Sequence, residues 1–426
     1  MNRVSLSTSD RQQGAATLVV VMMLFLIMAL LAAYANRGLL FEQRMSNSYY
    51  RASMAQEASE AGTEWALAQL NGLATDASCK PVASGGKRFA DRYLTINAED
   101  RTLRQTSYTL LTAGCVKGED GWQCRCQELG KRTVPVALPN SELTPSFDVN
   151  FSYIPVPNGA GTISMTALGC TTSVVDDCRG AETNTTRYQA KSLQSVMLAL
   201  VSAVRSPPLV PLVVKGNLTS TGAGLGLHNT SPGSAGLLVT AGGNIDGLVE
   251  SRLESVPGTP PALALIKKDP TLNEVGVDVF RMFMGATADR YENHPALRKL
   301  TCNGDCGTVL EDAYKAGVRM AWIDGGLTLS SNKIIGSDSD PMLVVADGDV
   351  QLSGPFQLSG MLVSRGNLSW TNNSGLTSLI NGTVLVEGNA VTEGTMDILY
   401  LPGVANQLRN RLGSYVRVPG GWQDVN

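Results

Sequence analysis

The chain has 426 residues, of which 17 % are charged, with 44 glycines and a formal net charge of −3. That length allows one or two folded units, and many glycines among few charges suit turn-rich β-structure. A slightly acidic chain without a basic stripe argues against a nucleic-acid partner.

Residues 1–14 form a short leader that carries Arg3 and Arg11 and ends on Gly14. An apolar run follows from Ala15 to Ala35, softened only by Thr17 and Tyr34. About 20 such residues in a helix cross a hydrocarbon layer of roughly 30 Å. A secretory signal has a shorter apolar core and is cut after it. Here the small residue precedes the core, so cutting between Gly14 and Ala15 leaves the apolar segment as a new N-terminus in the membrane. The basic leader favours a cytoplasmic N-terminus, although Arg37 and Arg44 on the far side weaken the asymmetry. Residues 36–426 are then expected outside the inner membrane, in the periplasm. An uncleaved signal anchor is the competing reading.

The helix is expected to continue beyond the membrane. From Leu39 to Leu70 there is no proline, and only Gly62 interrupts. Apolar or small residues recur at Phe41, Met45, Tyr49, Ala52, Ala55, Gly62, Trp65 and Ala66, mostly three or four apart. Asn71-Gly72 supplies a stop. One helix over 15–72, with its membrane part at 15–35, would be roughly 85 Å long.

Three motifs stand in order along this helix: Gln12-Gln13-Gly14-Ala15-Ala16-Thr17-Leu18-Val19-Val20, Phe41-Glu42-Gln43-Arg44-Met45-Ser46-Asn47 and Ala55-Gln56-Glu57-Ala58-Ser59-Glu60-Ala61-Gly62. Together they resemble the N-terminal region of PilX-type pilus assembly proteins, minor pilins of bacterial type IV pili. The ending Val418-Pro419-Gly420-Gly421-Trp422-Gln423-Asp424 is similar to the Pro-Gly-Ser-Trp-x-Asp ending of large members. The resemblance implies cleavage by prepilin peptidase after Gly14 and N-methylation of Ala15. It implies other minor and major pilins, the inner-membrane assembly machinery and a tip adhesin as partners, and a final place on the pilus at the cell surface. Two residues depart from the major-pilin pattern: Ala15 replaces a first Phe, and Val19 a fifth Glu that faces a neighbour's terminal ammonium. A buried ammonium without such a partner is costly. Val19 therefore points to a minor or tip subunit rather than the main fibre subunit.

Beyond the helix, residues 73–206 are expected to form a pilin-like β-rich domain. Strand-like runs occur at Arg92–Ile96, Tyr108–Val116, Thr133–Leu138, Ser146–Ile154, Thr162–Leu168 and Tyr188–Val204. An antiparallel sheet laid on the amphipathic half of the helix is the simple architecture.

The eight cysteines are Cys79, Cys115, Cys124, Cys126, Cys170, Cys178, Cys302 and Cys306. An even count in an oxidising compartment reads as disulfides. Cys170–Cys178 and Cys302–Cys306 are the plausible local pairs, and one of Cys115, Cys124 and Cys126 is expected to take Cys79. Zinc is the weaker alternative, with only His228 and His294 as imidazoles and no paired C-x-x-C spacing.

Residues 207–426 carry a repeat: an aliphatic run, a turn with Gly and Asn or Asp, then a polar–apolar run. The copies centre on Lys215-Gly216-Asn217, Gly242-Gly243-Asn244, Asp324-Gly325-Gly326, Asp347-Gly348-Asp349, Arg365-Gly366-Asn367 and Glu387-Gly388-Asn389. Gly348, Gly366 and Gly388 stand about 20 residues apart, the length of one coil of a parallel β-solenoid. The glycines are expected to permit a left-handed corner, with Asn or Asp tolerating the next position. Residues 247–319, with a helix-like Val277–Ala288, read as an insertion between the second and third coils. Leu401–Asn426, with a helix-like Val404–Leu412, reads as an end cap.

The fold class expected is α+β: a long N-terminal helix, an antiparallel β-rich head and a short parallel β-solenoid with a helical insertion. Asp338, Asp340, Asp347 and Asp349 form the one dense acidic cluster. They read as turn residues, with calcium as the alternative. Arg365 and Arg417 read as solvated side chains as readily as catalytic ones. No nucleophile–base pair, phosphate loop or metal box appears, so neither an enzyme nor a cofactor is expected. The favoured function is pilus assembly and initiation near the tip. An anchored adhesin whose solenoid binds a surface ligand is the alternative, and a membrane-anchored carbohydrate-active enzyme is a remote third.

Overall fold

The computed structural model describes residues 13–106, 113–126, 143–155, 161–173 and 189–425. The leader up to residue 12, the run Thr133–Leu138 and Cys178 lie outside the described residues. The molecule is mixed α and β: a single long helix, a head of antiparallel strands and a coiled parallel sheet.

Helix α1 spans Gln13–Leu70, about 87 Å at 1.5 Å per residue. Five antiparallel strands follow: β1 (Ala113–Gly118), β2 (Gly121–Cys126), β3 (Ser146–Ser152), β4 (Thr162–Cys170) and β5 (Lys191–Ser202). A sixth, β6 (Gly413–Val425), is the last segment described. The sheet runs β6-β5-β4-β3-β1-β2. The end of the chain thus returns to the head and pairs with β5 from Gly413↔Ser202 to Val425↔Leu193. It does not cap the solenoid. The stretch Arg92–Ile96 is helix over Phe89–Tyr93 before a short strand Leu94–Ile96.

Six coils form between β5 and β6, and their stacking does not follow chain order. Coil 1 contains Leu212–Val214 and Leu218–His228, and coil 2 contains Val239–Ala241. Coils 3 to 6 begin with Met320–Ile323, Met342–Ala346, the second half of Gln357–Ser364 and the second half of Leu379–Val386. Parallel pairs join coil 3 to 4, 4 to 5 and 5 to 6. Coil 6 then pairs with coil 1, Leu212↔Val384 to Val214↔Val386, and coil 1 with coil 2. The spatial order is 3-4-5-6-1-2. Residues 247–319 are therefore not an insertion between neighbouring coils: they carry the chain from one end of the stack to the other. Two short pieces of this crossover, Leu253–Glu254 and Leu265–Ile266, pair with coils 1 and 2 on the way.

The crossover explains the two kinds of run in the repeat. The first strand of coils 1 and 3 to 6 is buried on both faces. Ala321, Val344, Leu362 and Val384 point into the solenoid core. Trp322, Leu343, Val363 and Leu385 point outward beneath Val279, Phe280 and Tyr291 of the crossover and Val404 and Leu408 of the C-terminal helical segment. A parallel strand covered on both sides reads as a continuous aliphatic run. The second strand faces water on one side and alternates, as in Val350–Ser353, buried-exposed-buried-exposed. The helix-like Val277–Ala288 is a helix over Val279–Met284, closed by Gly285 at φ 83°. The segment Pro402–Arg411 lies against the side of the solenoid rather than over its end.

The turn glycines serve a different purpose from the expected one. Of those named above, only Gly325 takes a positive φ, 82°. The rest sit where coils touch: a Cβ on Gly366 would lie 2.2 Å from Asp349 Oδ1, and on Gly216 2.4 Å from Asn389 Oδ1. Close approach, not handedness, requires them.

Candidate functional site: the helix and its mount

The two halves of α1 have different surroundings. Every residue from Gly14 to Tyr50 is exposed, including Leu18, Phe25, Leu31 and Phe41. From Ala55 on, a face of small residues is buried: Ala55, Ala58, Ser59, Gly62, Thr63 and Ala66. Small residues let the helix lie close on β3, β4 and β5. A Cβ on Gly169 of β4 would stand 2.1 Å from the Ala55 carbonyl oxygen, and one on Gly62 2.9 Å from the Phe147 ring. Gly62, the interruption in the helical pattern, is thus the seat of Phe147. Trp65 closes the contact, its ring 5.5 Å from Phe89 and 5.6 Å from Phe147.

Polar contacts fix the position of the helix along the sheet. The buried Thr63 hydroxyl donates to Gln194 Oε1 at 2.6 Å, and Ser59 to Ser192 at 3.3 Å. At the helix end Asn71 makes a two-way clamp on Tyr415 of β6. Asn71 Nδ2 donates to the Tyr415 carbonyl at 2.9 Å, and the Tyr415 N–H donates to Asn71 Oδ1 at 2.8 Å. Arg298, from the crossover, donates to the Asn71 carbonyl at 2.6 Å. Helix, head and solenoid therefore meet at one residue. Nothing in the sequence singles out Asn71 for this beyond its stop position, and Gln194 gave no signal.

A cavity of about 60 Å³ at this joint is bordered by Arg88, Asp91, Arg319, Asp340 and Tyr415. Asp340 accepts from Arg319 at 2.6 Å and from Arg88 at 3.1 Å, and Arg88 also bonds Asp91 at 2.7 Å. Burial pushes the Asp340 carboxyl up, but the Arg319 hydrogen bond and the charges of Arg88, Arg319 and Arg411 outweigh it and hold it below the usual range. An ion-pair chain of this kind specifies the docking geometry more than it stabilises it.

The structure disperses the acidic cluster. Asp340 belongs to the joint, Asp338 bonds Ser359 and Asn381, Asp347 pairs with Arg365, and Asp349 accepts the Asn367 N–H. Among the described residues no group of His, Cys, Asp or Glu has a metal-holding arrangement. Arg365 also reaches Glu387, and Arg417 bonds Glu64 of α1 at 2.6 Å. His228 bridges Asp397 and Glu254, and His294 contacts Ser414. Cys79 bonds Cys126, Cys115 bonds Cys124 and Cys302 bonds Cys306, while Cys170 is also disulfide-bonded.

Gly14 and Ala15 lie in the first turn of α1, exposed, with nothing near the position of a Gly14 Cβ. α1 is long and apolar enough to cross a membrane. Over residues 13–64 the chain matches a family model described as PilX N-terminal. That stretch is a PilX-type pilin segment. It ends within the mounted half of α1, so the segment is read by its helix and not by the sheets behind it. The similarity to type IV pilus-associated pilins covers this segment alone. No curated protein and no solved structure matches the chain. In the PilX-like segment residues 14–50 are exposed, and the buried face from Ala55 on holds the head on one side of the helix.

Proposed function

We propose that this protein is a minor pilin that is cut by prepilin peptidase after Gly14, methylated on Ala15, and incorporated at or near the tip of a type IV pilus, where it takes part in initiating assembly. The observation that carries the reading is the PilX-type segment on a helix whose first 37 residues from Gly14 are all exposed. Its apolar part, Ala15–Ala35, needs lipid first and neighbouring helices afterwards. Val19 supports a terminal position, because it brings no carboxylate to a neighbour's ammonium. The head faces the periplasm before assembly, and its disulfides suit that compartment. The role is structural rather than catalytic.

The test is the mass of the N-terminal peptide from purified membranes, together with the pilus count of a deletion strain. A peptide starting at methylated Ala15 and loss of pili support the reading. An intact leader, or immunogold label scattered along the shaft, counts against it.

One observation favours adhesion as a second role. The second strands of the coils align side chains such as Thr219, Thr221, Ser353, Ser369, Thr371 and Glu393 in columns on an outer face. This face is the one on which the solenoid would meet a surface ligand. Normal pili with poor attachment, in the deletion strain, would favour this role over priming.

A further inference from the structure

The cavity where head and solenoid meet holds more positive charge than its own acids neutralise. Four guanidinium groups border it, Arg88, Arg298, Arg319 and Arg411, against two carboxylates, Asp91 and Asp340. Arg319 is committed to Asp340 and to the Tyr314 and Val318 carbonyls. Arg298 bonds the carbonyls of Asn71, Pro295 and Leu297, which carry no formal charge. Arg88 uses Nε on Asp91 and Nη2 on Asp340, and its Nη1 has no hydrogen-bond partner among the described residues. Arg411 stands 3.5 Å from Asp91. The Arg88 and Arg319 side chains are only 19 % and 12 % exposed, so solvent screens this excess poorly. Two buried polar atoms on the same cavity lack partners among the described residues: the Tyr415 hydroxyl and Gln407 Oε1. Tyr415 is 4 % exposed. Burial raises its pKa, Asp91 adds to the rise, and Arg88 and Arg411 oppose it, so the phenol is neutral and close to those charges. Buried polar atoms are nearly always paired, and two orphans on one charged cavity point to an occupant. Gln407 and Arg411 are the ends of a π-helical turn, a rare geometry that recurs at functional sites.

The groups left over define the occupant. The excess positive charge asks for an anion, and guanidinium groups suit an oxyanion. The phenol donates to one of its oxygens. Gln407 Oε1 only accepts, so the occupant also carries an O–H. Phosphate keeps a proton at neutral pH; sulfate and chloride keep none. A single water needs about 10–15 Å³ by the same measure, so about 60 Å³ has room for one small ion. Arg411 and Asp340, 37 % and 31 % exposed, leave a way in from solvent. We infer that this cavity binds one inorganic phosphate ion, held by Arg88, Arg411 and the Tyr415 hydroxyl and selected through its own O–H by Gln407 Oε1. The ion ties Arg88 of the head to the segment that leads from the solenoid flank into β6, and so fastens the joint.

The experiment takes the full chain in a non-ionic detergent, dialysed free of phosphate, and titrates it with sodium phosphate, sulfate or chloride at constant ionic strength and neutral pH. Melting temperature and titration calorimetry are the readouts. Phosphate is expected to raise the melting temperature saturably and to bind one ion per chain, with sulfate at least tenfold weaker. Tyr415→Phe keeps the ring and the backbone clamp on Asn71. Without phosphate it should melt at or above wild type, because an unpaired buried hydroxyl is gone, yet it should bind phosphate at least tenfold more weakly. A merely structural tyrosine would not separate the two readouts. Gln407→Met should bring phosphate down to the level of sulfate. A phosphate response no larger than that of chloride means that the cavity holds water and overturns the site. An undiminished response in Tyr415→Phe places the ion elsewhere and overturns it as well. Equal affinity of the wild type for phosphate and sulfate overturns the assignment to phosphate.

Discussion

The backbone N–H of Asn217 donates to Asn389 Oδ1 at 2.9 Å, across 172 residues of sequence. It is one rung of a ladder. Asn367 N donates to Asp349 Oδ1, Asn389 N to Asn367 Oδ1, Asn217 N to Asn389 Oδ1 and Asn244 N to Asn217 Oδ1, all between 2.7 and 2.9 Å. The rungs follow space, not sequence, and the 389–217 rung joins the last coil of the chain to the first. The chain thereby seals the solenoid in its middle and leaves the ends to the crossover.

Asn389→Ala should weaken that seal. It removes the acceptor for Asn217 while leaving the Asn389 N–H bonded to Asn367. The rung is solvent-exposed, so the expected cost is about 1 kcal/mol. Asn389→Asp keeps the acceptor and should cost less. Thermal unfolding of the detergent-solubilised chain checks the order wild type, Asp, Ala; an Asn389→Ala melting temperature equal to wild type would show that the rung carries no stability.

Gly366→Ala should be much worse. Its Cβ would meet both Asp349 Oδ1 at 2.2 Å and Asp349 N at 2.8 Å. Since backbone is involved, the coils must part or the ladder must break, an expected loss of about 2–4 kcal/mol. Gly403→Ala is the control: it is helical with nothing within 4 Å, and should be neutral or gain up to about 1 kcal/mol. Urea unfolding of the two variants side by side measures the difference.

Much of this architecture was legible. Periodicity gave the helix, and the Gly-Asn turns gave the parallel coils, because a coil must repeat its corner chemistry. Stacking order was not legible: Leu212-Val213-Val214 fits beside Val384-Leu385-Val386 as well as beside any other aliphatic run, and only tertiary contact chooses. The destination of the last strand was hidden for the same reason, since Tyr415 and Trp422 alternate like any exposed-edge strand. The charged joint escaped because Arg88, Arg319 and Asp340 lie far apart in sequence and acquire meaning only when head meets solenoid.

The bond Cys79–Cys126 closes a loop of 47 residues and ties the segment after α1 to β2. By the chain-entropy relation such a loop contributes about 4 kcal/mol, against about 2.6 kcal/mol for the nine-residue separation of Cys115–Cys124. Replacing Cys79 and Cys126 together by Ala should therefore destabilise the head more than replacing Cys115 and Cys124 together. Limited proteolysis after α1, followed on both double variants, reads out the order. The reverse order would mean that the denatured head retains the longer loop's contacts without the bond.

The two histidines should give opposite responses to pH. The hydrogen bond that His228 donates to Asp397 raises the histidine above its ordinary value of 6.5; burial opposes the rise and Glu254 adds to it. The stabilisation is complete below pH 6.5 and is lost as pH rises through the raised folded value. His294 is the reverse. Ser414 Oγ accepts from Ala296 N at 2.7 Å and contacts His294 Nδ1, while His294 Nε2 is buried without a hydrogen-bond partner among the described residues. Burial depresses it to about 4, so the fold loses stability as pH falls from 6.5 towards 4, by up to about 3 kcal/mol. His228→Gln should therefore flatten the alkaline limb of a stability profile and leave the acid limb. His294→Asn should lower stability at pH 7 yet reduce the fall between pH 6.5 and 4. Melting temperatures from pH 4 to 9 test both, and an unchanged alkaline limb in His228→Gln would remove the Asp397–His228–Glu254 bridge as a stabilising contact between coils.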